Sequence, residues 1–272
     1  METYVKICVT FFVILSSVIT PSKGQSNTTG LEQVQILAGW QNSDGTYTAA
    51  VEIDLDSGWK TYWHAPGMAG IPPQFSFEGS KNLKKVMFSW PAPVLFGDDH
   101  IWSIGYKSHL ILPMRVIPED RERPVQLRLN AEIGICDKVC VPAEFSLSSS
   151  LYPKRTKRTA KIVAALASKP KSKTSVNAQN VTCAFLPSNN GMKVSVRMSL
   201  PATGDREVIM VGYDQIGHWV QNEIAERSGN ELTGEGIIRR DSGQLAAIDR
   251  SKITLTVISN TMAADLGTCV DL

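Results

Sequence analysis

Cys136 and Cys140, with Asp137, Lys138 and Val139 between them, carry the reactive groups of this sequence. Two thiols that can join and separate are able to trade disulfides with another protein, a thiolate on one side attacking a disulfide sulfur on the other. A bridge needs Cα atoms roughly 4.4 to 6.8 Å apart, which a bent spacer of this length meets. Lys138 favours the thiolate while Asp137 and Glu144 oppose it, so local charge leaves the reactivity open. Spacing alone fits a static hairpin disulfide equally well, because the stronger redox signature is two residues between the cysteines, not three.

The flanking residues say what must position the pair. Val125, Leu127 and Leu129 alternate with polar partners before it, and Phe145 and Leu147 do so after it. That is the period-2 pattern of half-buried strands, with the thiols facing each other across a hairpin mouth. Upstream, Val34 and Ile36, then Tyr47, Ala49, Val51, Ile53 and Leu55, alternate in the same way around an Asp44-Gly45 turn. The stretch from Gly58 to Phe75 holds prolines and glycines at a density that forbids helix and weakens any central strand. Val86, Phe88 and Trp90 resume alternation, Phe96 to Ser103 reads as a loop carrying large aromatics, and His109 to Pro113 returns to strand. Short strands with turn signals and almost no helical periodicity predict an all-β protein built from antiparallel sandwiches.

Residues 152–180 are different material, with eight lysines and arginines and no acidic residue. Ile162, Val163 and Leu166 there predict one short helix ending before Pro170, a basic linker docked on a domain edge. From residue 181 to 272 a second β-sandwich domain is expected: Met192, Val194, Val196 and Met198 alternate, as do Val208 and Met210, then Ile253, Leu255 and Val257. Asn189-Asn190-Gly191 is a hairpin turn signal.

The first 24 residues place Lys6 before an apolar run and small residues near Gly24, the pattern of a secretory signal peptide cleaved there. Cys8 leaves with it. The run is shorter than the roughly 20 residues that span a bilayer, and no later run approaches that length, so an exported chain without a transmembrane segment is expected. Four cysteines then remain, an even number that suits disulfides in an exported protein. Of the possible pairings, spacing favours a local Cys136/Cys140 pair and a distant, structural Cys183/Cys269 pair. Closing the long loop contributes about 4.6 kcal/mol in the chain-entropy model. The mature chain carries 26 basic and 25 acidic residues, a balance that gives no reason to invoke nucleic acid. No Ser-His-Asp set, phosphate loop or carboxylate pair stands out, and no cofactor is indicated.

Several segments occur in a recognisable order: Trp59-Lys-Thr-Tyr-Trp, Pro66-Gly-Met-Ala-Gly-Ile-Pro-Pro-Gln-Phe, Trp90-Pro-Ala-Pro, Gly105-Tyr106-Lys and Gly134-Ile-Cys-Asp-Lys-Val-Cys-Val-Pro142. Together they resemble the periplasmic N-terminal region of DsbD/ScsB-type thiol:disulfide interchange proteins, in a stand-alone form of the alphaproteobacterial kind, closely over residues 31–151 and more loosely beyond. The resemblance implies an immunoglobulin-like redox domain and a periplasmic location. It also implies Cys136 and Cys140 as the catalytic pair, with Cys140 forming the mixed disulfide. The partner implied is a periplasmic thioredoxin-like or membrane thiol-disulfide protein. In that family a loop with an aromatic tip shields the pair. Here the loop corresponds to Phe96, Asp98, Asp99, His100, Ile101 and Trp102, with Trp102, Ile101 or Phe96 as the capping side chain. Full-length relatives continue into a membrane domain and a thioredoxin-like domain that are not seen here, so the pair is expected to depend on a partner for electrons.

Two other readings follow from the same residues. The thiols with His64, His100, His109 or a methionine form a soft donor set for copper(I) or zinc. Alternatively the chain is a redox-silent binding module whose Cys136/Cys140 bridge is structural.

Overall fold

The computed structural model describes residues 28–188, 191–215, 217–241 and 248–269. The expected signal-peptide segment, and Asn189 and Asn190 of the expected turn, lie outside the described residues.

The first half of the chain runs through β1 (Leu31–Gln41), β2 (Tyr47–Leu55), β3 (Lys60–Tyr62), β4 (Gln74–Ser76) and β5 (Leu83–Phe88). It continues with β6 (Val94–Gly97), β7 (Trp102–Lys107), β8 (His109–Pro118), β9 (Val125–Cys136) and β10 (Cys140–Leu151). One sheet has the order β1-β2-β8-β5 and the facing sheet β10-β9-β3-β7-β6, with β4 also paired to β9. The turn between β1 and β2 forms where expected. Gly45 takes a left-handed φ of +80°, and the Asp44 carboxylate accepts from the backbone and hydroxyl of Thr46.

Alternation explains the packing. Val125, Leu127, Leu129, Ala131, Ile133 and Ile135 on β9 all point inward and are buried, against Val51, Ile53, Leu112 and Met114 of the other sheet. Each large apolar side chain so buried contributes about 1.5–3 kcal/mol. The proline-rich stretch from Gly58 corrects one expectation. Its first residues form β3, which is only three residues long yet sits in the middle of its sheet. The chain is extended there because the prolines begin later, at Pro66.

Helix α1 (Ala160–Ala167) lies within the basic stretch and docks on the first sheet. Ile162 is fully buried against Trp40 and Ala50, and Lys161 reaches the buried Glu52 carboxylate at 2.6 Å. Val163, expected on the apolar face, is instead exposed, and Ala165 takes the inward place.

The second half adds β11 (Lys171–Ser172), β12 (Gln179–Ser188), β13 (Gly191–Ser199), β14 (Glu207–Tyr213) and β15 (His218–Asn222). It ends with β16 (Glu226–Ser228), β17 (Glu231–Arg240), β18 (Ile253–Ser259) and β19 (Ala263–Thr268). The sheets are β11-β19-β18-β14 and β12-β13-β17-β15, with β16 on β17; the short β11 joins β19 in parallel, a departure from a purely antiparallel fold. Strand β14 is buried on both faces. Ile209 and Val211 face the core of the second sandwich, while Val208 and Met210 join Ile258 and Ala263 in packing on the first. A strand covered on two sides reads as a continuous apolar run, which is what Val208-Ile-Met-Val211 is.

Candidate functional site

The hairpin between β9 and β10 places the reactive pair. Cys136 faces Cys140 in register, the two are joined as a disulfide, and their Cα atoms are 4.1 Å apart. That spacing is close to that of directly facing residues across an antiparallel pair. Because the odd-numbered residues of β9 point into the core, Cys136 falls on the outer face together with Gly134. The two sulfurs are not equivalent. Cys136 is 5% exposed, whereas Cys140 and the neighbouring Val139 are open to solvent.

Tyr62 covers the pair from β3. Its ring lies against Gly134, where an added Cβ would come within 2.9 Å of the ring, so glycine leaves the room the tyrosine uses. The Tyr62 hydroxyl is 3.1 Å from Cys140 Sγ. A disulfide sulfur has no proton, so the hydroxyl is the donor. Burial raises the Tyr62 pKa further above its ordinary value, keeping that proton in place at any physiological pH.

One row of side chains continues across the sheet. Lys60 is in register with Cys136 on one side and Lys107 on the other. The Lys60 and Lys107 ammonium groups stand 5.4 and 5.5 Å from the centre of the Phe96 ring, a cation–π pair on one buried aromatic. Phe96, Lys60 and Cys136 therefore share the outer face of this sheet.

The expected cap loop is shorter than its sequence suggested, because Phe96 and Gly97 end β6 while Trp102 and Ser103 begin β7. Trp102 is corrected from a cap residue to a core residue: it is 1% exposed and packs against Gly67. Asp98, Asp99, His100 and Ile101 form the exposed turn. The Asp98 carboxylate accepts from the backbone of His100 and Ile101, and these bonds lower its pKa. From the second sandwich, Arg206 donates to the Gly97 carbonyl and pairs with Asp99 at 3.5 Å.

The histidines do not converge on the sulfurs. His64 lies at the mouth of a cleft of about 420 Å³ between the sandwiches, beside Trp63 and Trp90. Crowding by these neighbours lowers its pKa to about 4, so it is neutral at neutral pH. His100 is at the turn, and His109 meets Asp54 at 2.5 Å on the other sheet. Among the described residues the donor cluster with metal-ligand spacing is Glu52, Asp54 and His109, which includes neither reactive cysteine. Cys183 and Cys269 are bridged, joining β12 to the chain just beyond β19 and so tying the two sheets of the second sandwich.

Sequence reasoning did not single out Tyr62, Lys60, Lys107 or Arg206. Tyr62 and Lys60 stand in the quoted Trp59-Lys-Thr-Tyr-Trp segment, and a short strand there was the missing signal. Nothing local marks Arg206, which acts 109 positions away from its acceptor.

Fold and pair together define immunoglobulin-like β-sandwiches, the first of which carries a disulfide at the mouth of its β9–β10 hairpin. More particularly, residues 33–151 match the family described as "Thiol:disulfide interchange protein DsbD, N-terminal". The chain is also similar in fold to the crystal structure of the N-terminal periplasmic domain of ScsB from Proteus mirabilis, with a TM-score of 0.61. That likeness covers 90% of this chain and 96% of the other at 18% identity, and it speaks for the fold. No curated protein matches the chain. No helix among the described residues is long and apolar enough to cross a membrane.

Proposed function

We propose that Cys136 and Cys140 relay electrons to or from a partner protein by thiol–disulfide exchange. The observation that carries this reading is the asymmetry of the pair: one cysteine is buried, the other is exposed and its sulfur is touched by a hydroxyl donor. A structural bridge gains nothing from such an arrangement. An exchanging one needs an accessible sulfur to be attacked and a stabilised thiolate to leave.

In the accepting direction, a partner thiolate attacks Cys140 Sγ. A bond forms between the two, the Cys136–Cys140 bond breaks, and its electron pair stays on Cys136 Sγ. The partner's second thiolate then attacks its own sulfur in the mixed disulfide, and Cys140 leaves as a thiolate facing the Tyr62 hydroxyl. The partner has lost two electrons and the pair has gained them. Running the steps backwards passes the electrons on.

The DsbD relationship supports a periplasmic setting, with residues 1–24 as a cleaved signal peptide and a thioredoxin-like or membrane thiol-disulfide protein as the partner. In this reading residues 31–151 are the redox domain, 152–180 the linker and 181–272 a second domain. The test is equilibration of the mature protein with glutathione buffers, followed by mass-tagging of free thiols. Cys136 and Cys140 should become free together within the range those buffers reach. A pair that stays closed below about −300 mV, where structural disulfides lie, would sink the relay.

A further inference from the structure

We propose that Arg206, on the second sandwich, is a positioning residue for the redox site of the first: it pins the β6–β7 hairpin and, through Phe96, holds the Lys60 ammonium on the side away from Cys136. The inference rests on the exchange reading above and assigns the second sandwich a part in it.

The chain of contacts is short. Arg206 donates from one guanidinium nitrogen to the Gly97 carbonyl, where the turn begins, and holds another 3.5 Å from the Asp99 carboxylate within the turn. The turn it grips is already stiff. Asp98 holds the next turn residues by backbone hydrogen bonds, and Gly97 has a φ of +91° with Ile101 O only 2.0 Å from where a Cβ would be. Fixing Gly97 therefore fixes its neighbour Phe96, whose ring both ammonium groups approach. Lys60 is in turn directly across from Cys136. Phe96 lies on β6, two strands away from β3 on the side opposite β9. The ring accordingly draws the Lys60 ammonium away from the cysteine.

Arg206 is itself held. The next residue, Glu207, is buried and accepts from Arg227 and from both the backbone and hydroxyl of Thr203. The apolar contacts of Val208, Met210, Ile258 and Ala263 keep the sandwiches together, and β18 lies close to β6. Arg206 supplies the directional contact on the turn, with one nitrogen donating to the Gly97 carbonyl while its charge attracts the Asp99 carboxylate.

When the hairpin is released, Lys60 is free to turn toward Cys136 and stabilise the thiolate that leaves in the first step. The experiment measures the rate of reduction of Cys136–Cys140 by dithiothreitol in the full chain, with thermal melts alongside. Arg206→Ala should speed reduction about threefold to fivefold, the range a partly exposed ion pair is worth. Asp99→Asn, an exposed change that leaves Arg206 in place, should act in the same direction and less strongly. Phe96→Leu should match Arg206→Ala, and the double variant should be no faster than either one, since both cut the same path. Arg206→Lys should restore part of the effect.

Unchanged rates in Arg206→Ala and Asp99→Asn overturn the proposal, as do effects of Arg206→Ala and Phe96→Leu that simply multiply. Exchange in the wild-type protein that is indifferent to Arg206 removes this inference alone. A wild-type pair that never exchanges removes the relay reading, and this inference with it.

Discussion

The Tyr62 hydroxyl donates to Cys140 Sγ across 3.1 Å, while Tyr62 itself rests on the backbone of Gly134, two residues before Cys136. The donor on β3 and the disulfide joining β9 to β10 thus meet across β9, the strand they share as neighbour. On reduction the acceptor becomes a thiolate, and a hydrogen bond to a charged group is worth about 1.5–3 kcal/mol. Tyr62→Phe removes the donor and keeps the ring. Alkylation of Cys140 at neutral pH, measured in the reduced protein with Cys136→Ala in the background, should slow by roughly tenfold. An unchanged rate would show that the contact does nothing for the thiolate.

Much of this arrangement was legible in the sequence. The alternation from Val125 to Leu129 and from Phe145 to Leu147 placed the cysteines at a hairpin mouth, because a half-buried sheet imposes that period directly. What was not legible depends on neighbours far apart in the chain. Trp102 read as a loop aromatic because its burial comes from Gly67, on another segment. Strand β3 is too short to show a period at all. The burial of β14 on two faces needed a second sandwich packed on the first, which no local pattern announces.

The exposure difference between the sulfurs predicts which single-cysteine variant captures a partner. Cys136→Ser leaves the open Cys140, which should form a stable mixed disulfide with a small thiol-reactive disulfide or a protein partner. Cys140→Ser leaves Cys136, a residue only 5% exposed, which should react far more slowly. Mass spectrometry after incubation with oxidised glutathione gives the comparison. Equal yields of adduct would mean that burial does not decide the point of attack.

The Cys183–Cys269 bridge spans 86 positions and ties the two sheets of the second sandwich. Replacing both cysteines with alanine should lower stability to denaturant by about 2–5 kcal/mol, as for the removal of other native bridges. It should leave the equilibrium of Cys136–Cys140 with glutathione where it was. A shift in that equilibrium would assign the distant bridge a part in the redox chemistry.

Glu207 predicts a specific dependence on pH. Burial pushes its pKa upward, but hydrogen bonds from Arg227 and Thr203 outweigh this, so the net displacement is below the ordinary value of 4.5. A carboxyl group held more acidic in the folded protein stabilises it above the unfolded value, and the contribution fades as pH falls through the folded one. Glu207→Gln leaves the largely buried Arg227 without its counter-charge and should cost about 3 kcal/mol at pH 7, the lower end for breaking a buried pair. As pH falls through the lowered folded pKa the wild-type carboxyl protonates as well, and the difference between the two proteins should shrink. Urea unfolding at pH 7 and pH 3 measures both. A gap that is the same at the two values would mean that the charge on Glu207 is not what stabilises the start of β14.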